Sequence, residues 1–152
     1  MKKSILVSFC IILVFFFGCI KDDAIVIERK YWLLVNRKWQ LSGLSVKDAN
    51  GILTNEYDSL PSFRKDDYFV FNPDSTYQFN DNTDTMPGKN SRILDIGIWK
   101  LDQKETVLEM HSDMFNTSYN PARILELSSS KLSLERRHPG DGSVTTTTYK
   151  SL

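Results

Sequence analysis

The chain has 152 residues, with 19 Lys and Arg balanced by 19 Asp and Glu, so its formal net charge is zero. That length supports one domain with its own core, and the charge balance provides no basic surface for nucleic acid. The only cysteines, Cys10 and Cys19, lie near the start, so the rest of the chain has no thiol for a disulfide and must be held by packing.

Lys2 and Lys3 precede an uncharged run from Ile5 to Phe17, which ends at Gly18 beside Cys19. This is the order of a secretory signal segment. The run falls short of the about 20 apolar residues a membrane-spanning helix needs, and the charged Lys21-Asp22-Asp23 follows closely. Phe16-Phe17-Gly18-Cys19 resembles the lipobox of bacterial lipoproteins, in which a small residue precedes an acylated cysteine. The resemblance implies that residues 1–18 are a removed signal peptide and that Cys19 is the lipidated N-terminus. Its acyl chains, palmitate among them, would be the membrane anchor, since more than one chain gives stable attachment. Removing residues 1–18 from 152 leaves 134, and losing Lys2 and Lys3 takes the net charge from zero to minus two. Ile20-Lys21-Asp22-Asp23 resembles the lipoprotein export signal of Bacteroidetes, which implies display of the chain on the outer face of the outer membrane. The alternative is attachment facing the periplasm, with these charges as a solvated tether.

Residues 19–36 read as the lipidated cysteine, a tether and a short helix. Ile27, Tyr31 and Leu34 share a helical face, although Ile25-Val26-Ile27 also suits a strand. From Arg37 to Leu152 the chain reads as short strands between turn signals. Trp39 to Lys47 is the first strand, stopped by Asp48-Ala49-Asn50-Gly51, and a polar connection then runs to Lys65. Tyr68 to Phe71 and Thr76 to Phe79 form a hairpin around Asn72-Pro73-Asp74-Ser75. After a polar loop over residues 81–91, Ile93 to Leu101 is a strand with Gly97, Trp99 and Leu101 on one face. Val107 to His111 follows, then a loop over 113–121, a pair formed by Ile124 to Ser128 and Leu132 to Arg137, the turn His138 to Gly142, and a Thr-rich strand from Val144 to Lys150. Eight strands without long helices predict an all-β fold: an antiparallel up-and-down barrel whose closure removes exposed edges. Such a barrel has room for packed side chains or one small ligand.

The order of these features resembles the small lipocalin-like lipoproteins of Bacteroidetes. The resemblance runs from about Arg37 to Leu152. It rests on Trp39 and Leu41, on Leu60-Pro61 and Lys65-Asp66-Asp67 leading into Phe71 to Tyr77, on Gly97-Ile98-Trp99, and on Ile124, Leu132, Leu134 and Tyr149. It implies a lipocalin-like barrel over residues 37–152 and a non-catalytic binding module of the cell envelope. Its partners would be the membrane, through the lipid, and a small apolar ligand or an envelope protein. The alternative is a filled barrel acting as a structural or interaction lipoprotein in a surface assembly.

Candidate ligand-lining residues are Tyr77, Phe79, Trp99, Leu108 and Met110, which the strand parity turns inward. A void above about 300 Å³ lined by Trp99, Tyr77 and Met110 would favour ligand binding over a filled core. Neither His111 with Asp113 nor His138 has metal-ligand spacing, so no metal and no cofactor are expected. Nucleophile elbows and phosphate loops are missing. Asp66 and Asp67, read as strand neighbours, point to opposite faces and cannot converge on one bond; no enzymatic activity is expected. Asp58-Ser59-Leu60, Asp74-Ser75-Thr76 and Asp84-Thr85-Met86 resemble acceptor sites for O-glycosylation in exported Bacteroidetes proteins.

Overall fold

The computed structural model describes residues 30–82 and 92–152. The signal segment, Cys19, Lys21, Asp22, Asp23 and the Asp84-Thr85-Met86 pattern lie outside the described residues. Ten strands form one sheet: β1 Lys38–Lys47, β2 Leu53–Asn55, β3 Tyr68–Phe71, β4 Thr76–Asn80, β5 Ile93–Leu101, β6 Val107–Ser112, β7 Thr117–Ser118, β8 Ala122–Leu127, β9 Lys131–Arg137 and β10 Val144–Ser151. Eight of them close into an antiparallel barrel in the order β1-β3-β4-β5-β6-β8-β9-β10. The closing pair is β1 with β10, from Trp39 opposite Ser151 to Lys47 opposite Val144, with a bulge between Leu41 and Gly43.

Two stretches read as loops contain short strands. The Asp48–Gly51 turn ends β1 at Lys47 as expected and also folds the chain back, because Gly51 takes φ +88° and Asp48 Oδ1 accepts the amides of Asn50 and Ile52. Leu53–Asn55 then pairs with Ser45–Lys47. Asn116, at φ +47°, turns the chain so that Thr117–Ser118 pairs with the end of β6. A four-residue helix, Ser62–Lys65, ends the long connection before β3.

Inward positions alternate as a half-buried sheet requires. On β5, Asp95, Gly97 and Trp99 are buried, whereas Ile96, Ile98 and Lys100 are exposed. Gly97 is required there: a Cβ would run into the His111 carbonyl oxygen of the neighbouring strand. The core comprises Trp39, Phe71, Tyr77, Trp99, Leu108, Met110, Ala122, Leu132, Leu134 and Tyr149, joined by Leu34 and Val35 from the helical residues 30–34 and the turn after them.

Those first described residues cap one end of the barrel, where the turns after β3, β5 and β8 also lie. Trp39 Nε1 donates to the Leu34 carbonyl at 2.8 Å, and Trp99 Nε1 donates to the Asn72 carbonyl at 3.2 Å. The Tyr31 ring stacks on Trp99 at 5.7 Å while its hydroxyl donates to Pro73 O at 2.6 Å. Lys30 Nζ reaches the Glu105 carbonyl and Arg37 Nη1 the Ser129 carbonyl, each at 3.0 Å. Antiparallel strand direction places the segments around 48–67, 113–116 and 138–143, together with Asp81 after β4 and Arg92 before β5, at the opposite end, the mouth.

Candidate functional site at the barrel mouth

A cavity of about 230 Å³ opens at the mouth. Leu41 and Leu44 of β1, Phe69 of β3, Phe79 of β4 and Thr147 and Tyr149 of β10 line it, with Leu60, Arg64 and Asp67 from the connection before β3. Phe69 and Phe79 are cross-strand partners, and their rings stack at 4.4 Å. Aromatic pairs of this kind are favourable in a pleated sheet, and the walls are therefore mainly apolar. Deeper in the barrel the side chains leave a void of only about 10 Å³ among Trp39, Phe71, Met110, Leu132 and their neighbours. That is space for no more than one water.

Three carboxylates meet beside this cavity. One oxygen from each of Asp66, Asp67 and Asp81 lies within 4.8 Å of the other two. Asp67 and Asp81 are buried, and Asp66 is half-buried. Oδ1 of Asp67 is buried and accepts no hydrogen bond. Burial is the first cause that pushes the Asp67 carboxyl up to about 7, and the negative charges of Asp81 and Asp66 add to it, against a smaller lowering by Arg64.

The expectation that Asp66 and Asp67 diverge is corrected by the backbone. Asp66 caps the short helix with φ −97° and ψ −6°, so strand alternation does not yet apply to it. Asp81 went unnoticed in the sequence, although the hairpin carries the signal. With Phe71 opposite Tyr77 and Phe69 opposite Phe79, the next inward positions are 67 and 81.

A second buried carboxylate, Asp95, is fully engaged. Tyr77 and Tyr119 donate their hydroxyls to its Oδ2 at 2.6 and 2.7 Å, and Ser112 Oγ donates to Oδ1 at 2.6 Å. Ser112 Oγ in turn accepts the Phe115 amide at 3.0 Å. Burial, followed by the bond to Asp95, pushes the Tyr119 hydroxyl up to about 12 and the Tyr77 hydroxyl higher still. Neither phenol ionises near neutral pH, so both stay donors.

The five side chains expected to line a ligand space separate. Phe79 forms part of the mouth cavity, and Tyr77 lies in the core bonded to Asp95. Leu108 is buried, and Trp99 packs against Phe71 and Tyr31 at the capped end. Met110, also buried, borders the small deep void. A groove of about 530 Å³ touches Trp99 and Met110, but it opens outward between Ile98, Lys100, Glu109, His111, Tyr119 and Pro121. His111 Nδ1 contacts Ser118 Oγ at 3.0 Å and His138 Nε2 contacts Thr145 Oγ1 at 2.9 Å, so each ring pairs with a neighbouring strand hydroxyl. Among the described residues, the three aspartates are the one group of three or more possible metal ligands. Of the glycosylation-like patterns, Ser59 is exposed and Ser75 sits in the β3–β4 turn at φ +67°.

No family model matches the chain, and no curated protein matches it. A solved structure similar to it is an NMR structure of a protein from Bacteroides uniformis ATCC 8492. The two are 20% identical with a TM-score of 0.43, over 76% of this chain and 94% of that one.

Proposed function

We propose that the chain is a lipid-anchored, non-catalytic binding module of the cell envelope, which takes a small apolar ligand at the barrel mouth. The observation that carries this reading is the 230 Å³ cavity walled by Leu41, Leu44, Phe69 and Phe79 above a filled interior. A ligand would rest on the Phe69–Phe79 stack and not descend to Trp99. Lipidation of Cys19, with Lys21, Asp22 and Asp23 as the surface-export instruction, remains the proposed route to the outer membrane. The described chain begins at the capped end, at Lys30, and ten residues, or eleven residue steps, separate it from Cys19. A tether of that length spans at most about 40 Å, so it would hold the capped end toward the lipid and leave the mouth facing away.

Native mass spectrometry of the chain purified from its own host tests the ligand. A co-purifying apolar mass, lost in Leu44→Trp and kept in Ile98→Trp, is the expected result. Bare lipidated polypeptide in every case would favour the second reading, a filled barrel that contacts a partner protein. That reading has its own support in the exposed outer face of β5, where Ile96 and Ile98 are exposed and the Ile96 carbonyl accepts the Asp113 amide at the start of the turn that carries the exposed Met114 and Phe115. Metabolic labelling with a fatty-acid analogue tests the anchor, which should be absent from Cys19→Ser. Whole-cell protease accessibility, lost when Lys21, Asp22 and Asp23 are all changed to Ala, tests surface display.

A further inference from the structure

We infer that Asp66, Asp67 and Asp81 form a binding site for a divalent cation of the calcium type at the barrel mouth. Two independent features point there. The first is geometric: the three carboxylate oxygens fall within 4.8 Å of one another although they come from a helix end, a strand entrance and the far side of a hairpin. Oxygens around one Ca²⁺ stand about 2.3–2.6 Å from it, so two of them can be up to about 5 Å apart. Around Mg²⁺, at about 2.0–2.1 Å, the same spread would exceed the sphere. The donors are oxygens alone, which selects a hard cation over zinc or copper.

The second feature is the state of Asp67. Its residue is 4% exposed, yet its Oδ1 accepts no hydrogen bond. A buried carboxylate oxygen normally finds a donor, as Asp95 does with three hydroxyls in the same barrel. A cation between the three groups would satisfy Asp67 Oδ1 and remove the repulsion among the aspartates. Water entering through the adjoining cavity would complete the coordination.

The inference is independent of the apolar ligand and is tested without one. The full mature chain, purified in detergent and stripped with a chelator, is melted at constant ionic strength with CaCl2 or MgCl2. About 10 mM CaCl2 should raise the melting temperature by about 3 °C or more, as expected for a site in the 10⁻⁴–10⁻³ M range. MgCl2 should raise it less. Asp67→Asn and Asp81→Asn should each lose the Ca²⁺ shift, whereas Asp113→Asn, an exposed acid on a neighbouring loop, should keep it. Isothermal titration of CaCl2 into the wild-type chain gives a stoichiometry that does not depend on any variant folding, and one ion per chain is expected. Absence of a Ca²⁺ shift and of heat in the wild type would overturn the inference. An equal shift in the Asp67→Asn chain would do so too, because it would reduce the effect to general screening.

Discussion

The two ends of the barrel handle polar groups in opposite ways. At the capped end every indole and phenol that enters the core finds an acceptor: Trp39 on Leu34, Trp99 on Asn72, Tyr31 on Pro73. At the mouth one oxygen of a buried carboxylate, Asp67 Oδ1, has no donor, two more carboxylates crowd it, and an apolar cavity stands beside them. Burying a satisfied donor contributes stability, whereas an unsatisfied acceptor costs about 1–3 kcal/mol. Stability therefore resides at the capped end, and the mouth retains groups that a fold selected for stability alone would lose.

Substitutions on the two sides should separate sharply. Trp99→Ala removes a ring that packs on both Tyr31 and Phe71, and should cost about 3–5 kcal/mol in urea unfolding. A loss under about 0.5 kcal/mol would show that the cap contributes nothing. Gly97→Ala, midway along β5, must move the His111 carbonyl, and a cost of about 1–3 kcal/mol is expected from the same measurement.

At the mouth the sign should reverse. Asp67→Asn should stabilise the chelated protein by about 1 kcal/mol at pH 8. The pH dependence follows from the raised carboxyl. With a folded pKa near 7 against 3.8 for the free group, the folded state binds the extra proton between those values. Unfolding free energy therefore falls as pH rises through that window, and the loss is complete above about 7. Glu105, whose carboxyl burial also raises, slopes the same way, so the quantity to read is the difference between wild type and Asp67→Asn. A difference independent of pH from 4 to 8 would remove Asp67 from the comparison. A small change is also expected from Phe79→Leu, which keeps a half-buried apolar side chain: stability should drop by less than about 1.5 kcal/mol while retention of the co-purifying ligand falls. Equal retention would place the ligand elsewhere.

Much of the barrel was legible because its signals are local. Pro73 and Asp74 between aromatic runs mark a hairpin, and the parity from Gly97 through Trp99 to Leu101 names a face. The short strands β2 and β7 were hidden for the same reason in reverse: two or three exposed residues have no alternation to read, and only pairing with β1 and β6 defines them. The division of the inward side chains was hidden too. Tyr77, Phe79 and Trp99 are equivalent by parity, but height in the barrel puts one on a carboxylate, one at a cavity and one under a cap.

By itself the sequence determined which residues face inward along β4, β5 and β6, where the tight turns fall, and that no disulfide could replace core packing after residue 19. Those properties depend on chain stereochemistry over a few residues. Closure of the barrel was expected from the sequence, but only the tertiary structure decided its register, with β1 meeting β10 across 97 to 112 positions and a bulge between Leu41 and Gly43, and that Asp66, Asp67 and Asp81 share one small space. That register joins residues far apart in the chain, and no local pattern encodes it. The carboxylates meet because a helix cap suspends strand alternation at Asp66 while hairpin register sets Asp81 opposite Asp67, and the depth of their burial is fixed by the barrel that surrounds them.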